Sequence, residues 1–195
     1  MTLGPPVVPW QIAWSGSQPQ PSYAAVHNKG VPGPMNDAHV KLIERFYKAF
    51  DNGDGEAMAA CYTPDVHFSD PVFKDLHGER AGAMWRMLTE GPGDVRVELL
   101  EHEADDTEGS AHWKAHYNFS ETGRPVVNDI RAMFTFKDDL IAEHHDDFNF
   151  YAWSRQALGP TGLLLGWTPI VKGTVQKKAA DMLAKYTATS GNEAK

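Results

Sequence analysis

An α+β fold is predicted by two features of the chain: apolar residues recur at helical spacing in its first half, and the period changes to two after residue 94. Short turn signals between the period-two segments, at Glu121-Thr122-Gly123 and Lys137-Asp138-Asp139, make the second half an antiparallel meander. Asn36 or Asp37 caps a first helix in which Val40, Ile43, Phe46, Tyr47 and Phe50 form the apolar stripe, and Asn52-Gly53 stops it. A second, short helix fits Gly55–Tyr62. Thr63-Pro64-Asp65 then turns the chain into a strand over Val66–Asp70 that Pro71 closes. A third helix covers Glu79–Leu88, with Ala83, Met84, Met87 and Leu88 on one side, and Gly91-Pro92-Gly93 ends it. Strands follow around Val95–Leu99, Ala111–Phe119, Asn128–Phe136 and Leu140–Phe150. A last helix over Thr174–Tyr186 comes after the apolar segment Leu163–Val171.

Residues 1–34 hold seven of the 13 prolines and four glycines, with no acid, and read as an irregular arm unless Trp10, Trp14 and Tyr23 dock on the domain. Charge is uneven. Residues 37–170 carry 12 basic and 24 acidic groups, whereas residues 171–195 carry five lysines against Asp181 and Glu193. A net charge of −8 argues against nucleic acid as a partner. The single cysteine, Cys61, excludes an internal disulfide and reads as a small buried hydrophobe. No signal-peptide pattern opens the sequence, and no apolar run approaches the ~20 residues of a membrane span. A cytoplasmic protein is the expectation.

Four stretches carry a resemblance: the run from Phe46 to Asp54, the segment from Cys61 to Pro71, Gly78 at the start of a helix, and the stretch from Ile141 to Phe148. Together they resemble the nuclear-transport-factor-2-like superfamily, and within it the SnoaL-like polyketide cyclases and ketosteroid isomerases. The resemblance spans about residues 37–150. It implies a cone-shaped α+β barrel, with N-terminal helices packed on a curved, mostly antiparallel sheet around a deep pocket. The chain then divides into the arm (1–34), a cone domain (35–152) and a C-terminal helical extension (153–195).

Asp70-Pro71 matches the Asp-Pro that supplies the general base in ketosteroid isomerases. The tyrosine and protonated aspartic acid of their oxyanion hole fall at Phe46 and Ala132, so both donors are absent. Tyr47, rotated by about 100° from Phe46 around a helix, is a poor substitute. SnoaL-like cyclases carry a catalytic aspartate in a Glu-His-Trp-Asp run on the last strand. Glu143-His144-His145-Asp146 resembles it with one substitution, and Asp146 takes the aspartate's place. The cyclases' partnering histidine again falls at Ala132. The Arg-x-Asp pair of limonene-type epoxide hydrolases would sit near Trp113-Lys114-Ala115 and is missing.

Period two gives the inner face independently of any family. Phe148 points with the apolar faces, so His144 and Asp146 share its side while Glu143, His145 and Asp147 face away. The cavity walls are then Phe46, Phe50, Phe68, Trp85, Trp113, Tyr117, Ile130, Phe134 and Phe148, and Asp70, Asn128, His144 and Asp146 are the polar groups inside. A carboxyl among aromatic walls has its charged form disfavoured, which moves it toward the range useful for proton transfer at neutral pH. Asp70 as base, with His144 or a protonated Asp146 as donor, is the catalytic expectation. The alternative is that Asp70 caps a turn and His144–Asp146 is a local hydrogen-bonded pair. His112 and His116 lie ~13 Å apart along a strand, and His144 and His145 face opposite ways, so no metal site is expected.

These residues lead to an enzyme of isomerase, cyclase or dehydratase (lyase) type. It would act without a cofactor, by general acid–base chemistry, on a hydrophobic, carbonyl-bearing small molecule. The alternative is a non-catalytic hydrophobic-ligand-binding or dimerisation module of the same fold. The outward row of His112, Lys114 and His116 is expected to form a homodimer face or a solvated surface.

Overall fold

The computed structural model describes residues 34–91 and 95–193; the arm with Trp10, Trp14 and Tyr23, and Pro92-Gly93 after the third helix, lie outside them. Helix α1 (Asp37–Asp51) begins where the capping signal stands. Asn36 is extended, and its side chain accepts the amides of Ala38 and His39. The buried stripe of α1 runs through His39, Leu42, Ile43, Phe46, Tyr47 and Phe50.

Helix α2 (Gly55–Ala59), capped by the Asp54 carboxylate, ends three residues short of the expected Tyr62 because the chain has already entered strand β1 (Tyr62–Ser69). Thr63-Pro64-Asp65, expected as a turn, is part of that strand. The register slips between Tyr62 and His67, and Pro64 sits in this irregular stretch, where its missing N–H leaves no ladder bond unmade. After the two-residue strand β2 (Leu76–His77), Gly78 adopts φ 51°, and a Cβ there would stand 2.8 Å from the Pro64 carbonyl oxygen. Both the backbone conformation and the close approach require glycine. Helix α3 (Glu79–Thr89) buries Ala81, Ala83, Met84 and Trp85. Leu88, assigned to the same side from sequence, is exposed because burial is confined to the helix's first half.

Strands β3 (Arg96–Ala104), β4 (Glu108–Phe119), β5 (Arg124–Lys137) and β6 (Leu140–Phe148) form the meander. Asp138 and Asp139, at φ 53° and 56°, make the two-residue turn from β5 to β6. The six-stranded sheet has the order β2-β1-β6-β5-β4-β3, and its one parallel pairing is β1 with β6. Inward parity holds on β1, β4, β5 and β6, where Phe68, Trp113, Ala115, Ile130, Ala132, Phe134, His144 and Asp146 are buried, whereas in β3 a register shift between Leu99 and Glu101 moves the inward positions from Val97 and Leu99 to His102 and Ala104. Helix α1 packs across β3 and β4, and α3 against β1 and β2, so the core lies between the helices and this face. On the outer face His112 and Lys114 both meet Asp129, as their shared parity implies.

Strand β6 stops two residues before the expected Phe150. The Asn149 side chain accepts the Ala152 amide and starts helix α4 (Phe150–Ala157). Helices α5 (Pro160–Leu165) and α6 (Pro169–Glu193) are the last elements among the described residues. α6 is longer than the expected Thr174–Tyr186, because Pro169 opens it at a position where no N–H is needed. It lies against α3 and the Asp70–Pro71 turn: Leu183 is fully buried, Gln176 Nε2 donates to the Pro71 carbonyl, and Tyr186 donates to Glu90. Among the described residues no helix is long and apolar enough to cross a membrane.

If α6 is held by this contact, Leu183→Ala lowers unfolding free energy by about 2–4 kcal/mol in urea titration, whereas Met182→Ala at the neighbouring exposed position changes it by less than about 0.5 kcal/mol.

Candidate active site

Strand β6 places His144 and Asp146 two residues apart on the inner face, and both are buried. Their neighbours across β5 are Phe134 and Ala132 respectively. The small Ala132 side chain leaves Asp146 room. The imidazole that the resemblance locates at position 132 is supplied instead by His144 on the same strand, whose Nε2 lies 3.1 Å from Asp146 Oδ1.

A chain of hydrogen bonds runs through this point. Trp85 Nε1 donates to the Tyr62 hydroxyl oxygen at 2.8 Å, and the Tyr62 oxygen lies 2.7 Å from His144 Nδ1. Indole N–H can only donate, which leaves the Tyr62 hydroxyl proton available to His144 Nδ1, with His144 Nε2 facing Asp146 as a donor. Trp113 Nε1 donates to the same carboxylate oxygen at 3.4 Å. Donors thus converge on Asp146 from two sides. Phe46, Phe68, Trp85 and Phe134 pack around the imidazole with ring centroids 4.5–6.1 Å away and fix its orientation. Both nitrogens of His144 are therefore engaged. The direct donor role expected for it gives way to positioning Asp146.

Asp70 follows the inward Phe68 at the end of β1. Its Oδ1 accepts the amides of Val72 and Phe73, and its own amide donates to the Phe73 carbonyl, so the turn-capping role is real. Burial nevertheless pushes the carboxyl from 3.8 up to about 7: desolvation outweighs the two amide bonds, the charge of Asp146 adds to it, and Lys172 on α6 opposes it. Both amides go to one oxygen, and among the described residues Oδ2 has no partner.

Two tyrosines complete the site beyond what sequence reasoning assigned. Tyr62, the last residue of the expected second helix, is instead the first residue of β1. Tyr47 was set aside for the 100° step from Phe46, yet it is 2% exposed and packs on Trp113 and Phe134. An apolar helix stripe is itself about 100° wide, so both 46 and 47 project inward. The signal was present in the spacing 43, 46, 47, 50. Burial first, then the negative charge of Asp146, holds the Tyr47 phenol well above its ordinary pKa. Its hydroxyl makes no hydrogen bond of normal geometry among the described residues, and the nearby Trp113 indole N–H opposes the rise only as the smallest of its causes. Of the expected walls, Phe46, Phe50, Phe68, Trp85, Trp113, Ile130 and Phe134 are buried in one cluster, while Tyr117, Asn128 and Phe148 are half-buried at its edge. Tyr117 accepts from Trp153 Nε1, and its phenol is raised by burial, with a contribution from Asp70.

The SnoaL-like domain model matches residues 43–144. Among solved structures, the chain resembles a candidate polyketide cyclase from Xanthomonas campestris, at 22% identity and TM-score 0.54 over 61% of this chain and 96% of that one. It also resembles a candidate SnoaL-like polyketide cyclase from Jannaschia, at 15% identity and TM-score 0.58 over 68% and 99%. A third is an LEH-like epoxide hydrolase from M. tuberculosis, at 20% identity and TM-score 0.53 over 69% and 95%. These likenesses establish the shared fold. No curated protein matches the chain.

The two buried phenols separate in stability. Tyr62→Phe strands the His144 Nδ1 acceptor and costs about 1–3 kcal/mol, whereas Tyr47→Phe removes a hydroxyl that makes no bond and is neutral or stabilising; chemical denaturation of both variants measures the difference.

Proposed function

From the premise that this chain belongs to the SnoaL-like domain family, we propose that it is an enzyme using general acid–base chemistry on a hydrophobic, carbonyl-bearing small molecule, in an isomerisation, cyclisation or dehydration. The observation that carries the proposal is the Asp70 carboxyl at the end of β1, raised to about 7 mainly by desolvation, with the buried Asp146 near enough for its charge to add to the shift. Asp70 is the base. A carboxyl near 7 is partly ionised at neutral pH, and Oδ2 is the oxygen that takes a proton from carbon next to the substrate carbonyl.

Charge then develops on the carbonyl oxygen. The donor for it is the Tyr47 hydroxyl, which stays protonated, and Asp146 stands close enough to that hydroxyl to act on it. The charge of Asp146 adds to the burial that raises Asp70, and so helps to keep Asp70 basic enough to take a proton near neutral pH. His144, held by Tyr62, positions Asp146 and does not touch the substrate. The aromatic walls favour an apolar, ring-containing substrate. An epoxide-opening reaction is not supported, since Trp113-Lys114-Ala115 stands where the resemblance needs Arg-x-Asp. A homodimer through the outer sheet face belongs to the same proposal, supported by the outward polar row of His112, Lys114 and His116.

The second reading is a non-catalytic ligand-binding module, favoured by the closed hydrogen bonding of His144 and the turn made by Asp70. Exchange chemistry separates the two. Incubated in D2O with a panel of polycyclic and terpenoid ketones, the wild-type chain should catalyse deuterium incorporation next to the carbonyl of those it binds. Asp70→Asn should lose about 100-fold or more of that rate while still binding. Ketones that bind without exchange would establish the binding module instead.

The pH dependences run in opposite directions. Exchange requires ionised Asp70, so its rate rises with pH through about 7. Stability falls over the same climb, because between the unfolded value of 3.8 and about 7 the folded chain keeps a proton that the unfolded chain has released. Asn at position 70 still accepts both amides and carries no charge. Asp70→Asn is therefore more stable than wild type at pH 8, by up to about 3–4 kcal/mol, and the gain shrinks toward pH 4; melts across that range test it.

A further inference from the structure

The outward side of β1 carries a cluster that plays no part in the interior chemistry. The pairing of β1 with β2 sets His67 and His77 directly opposite each other, with rings stacked at a centroid distance of 4.5 Å and an interplanar angle of 8°. Asp75, two residues before His77, brings one carboxylate oxygen to both imidazoles: Oδ1 is 2.9 Å from His67 Nε2 and 3.0 Å from His77 Nε2. The three potential ligand atoms lie within 4.8 Å of one another. Two imidazole nitrogens and a carboxylate oxygen are the donor set of a borderline-soft divalent cation.

The nitrogen–oxygen distances agree with that set, and the two imidazoles, stacked almost parallel, turn about their side-chain torsions to aim both lone pairs at one ion. Metal–ligand bonds of about 2.0–2.2 Å at tetrahedral angles put donor atoms roughly 3.3 Å apart. The observed nitrogen–oxygen separations need to open by only a few tenths of an ångström. Both histidines and Asp75 reach solvent, so an ion can enter. Glu143 stands beside His67 in the register of β1 and β6 and is exposed, which adds negative charge at the same side of the sheet.

We propose that His67, Asp75 and His77 bind one divalent transition-metal ion of the zinc class, with water in the fourth position. The ion closes the segment from 67 to 77, which contains the Asp70–Phe73 turn, and ties the two-residue β2 to β1. Edge strands this short have little pairing of their own, so a cross-strand ion is an effective tie. The proposal does not depend on Asp70 being a base.

The test is calorimetric titration of the untagged full chain with Zn²⁺, with the visible absorption of added Co²⁺ as a second readout. One Zn²⁺ per chain is expected, with a raised melting temperature. His77→Ala and Asp75→Asn should each weaken binding by at least about tenfold and remove the melting shift. His112→Ala, which deletes another outward histidine beside an aspartate, should leave it unchanged. All three substitutions are at solvent-reaching side chains, and melting without metal verifies their folding. Absence of stoichiometric Zn²⁺ binding, or binding that survives both His77→Ala and Asp75→Asn, overturns the site.

Discussion

A carboxylate sealed among tryptophans and phenylalanines has to find hydrogen-bond donors inside the protein, and Asp146 is placed so that it does. Trp113 reaches it from β4, and His144 from two residues back on β6. Tyr62 of β1 and Trp85 of α3 fix His144 in turn. One buried acid therefore couples three strands and a helix. Removing any donor exposes a buried polar group without a partner, which is more costly than the bond itself was worth. The alanines at 111 and 132, side by side across β4 and β5, keep the sheet floor shallow beside it, and Phe46 and Phe50 from α1 close over the top.

Against this satisfied network Asp70 is under-compensated. It caps its turn through one oxygen, yet desolvation wins over both amides and leaves the carboxyl near 7. Its neighbours come from three places: Asp146 on β6, Tyr117 on β4 and Lys172 on α6. The C-terminal helix is thus part of the electrostatics of the site and also a cover, since Gln176 binds the carbonyl of Pro71, the residue after the carboxylate. The proposed proton transfer rests on this raised carboxyl.

Much of the fold was legible because local rules and the tertiary structure agree. Asn36 caps, the stripe from Ile43 to Phe50 packs, Gly78 turns, and the period-two runs alternate as expected. The departures come where non-local pairing overrides local preference. Thr63-Pro64-Asp65 has turn composition but lies within β1, between the Tyr62–Ile141 and His67–Glu143 pairs that bracket it against β6. Phe150 continues an apolar alternation but is taken into α4 by the Asn149 cap. Parity located Asp70, His144 and Asp146 on the inner face, yet periodicity carries no information about which polar atom meets which. Tyr62, 82 residues from its imidazole partner, shows no local sign of the role it plays.

What the sequence determined by itself is the order of the elements, the face each side chain takes, and the inward acids, because these follow from side-chain periodicity and capping within a few residues. Only the tertiary structure decided that β1 runs parallel beside β6. That single pairing brings Tyr62 to His144 inside the sheet, and together with the hairpin to β2 it places His67, His77 and Glu143 in one outward row. Such juxtapositions depend on strand register between segments far apart in the chain, and register is a property of the packed sheet as a whole.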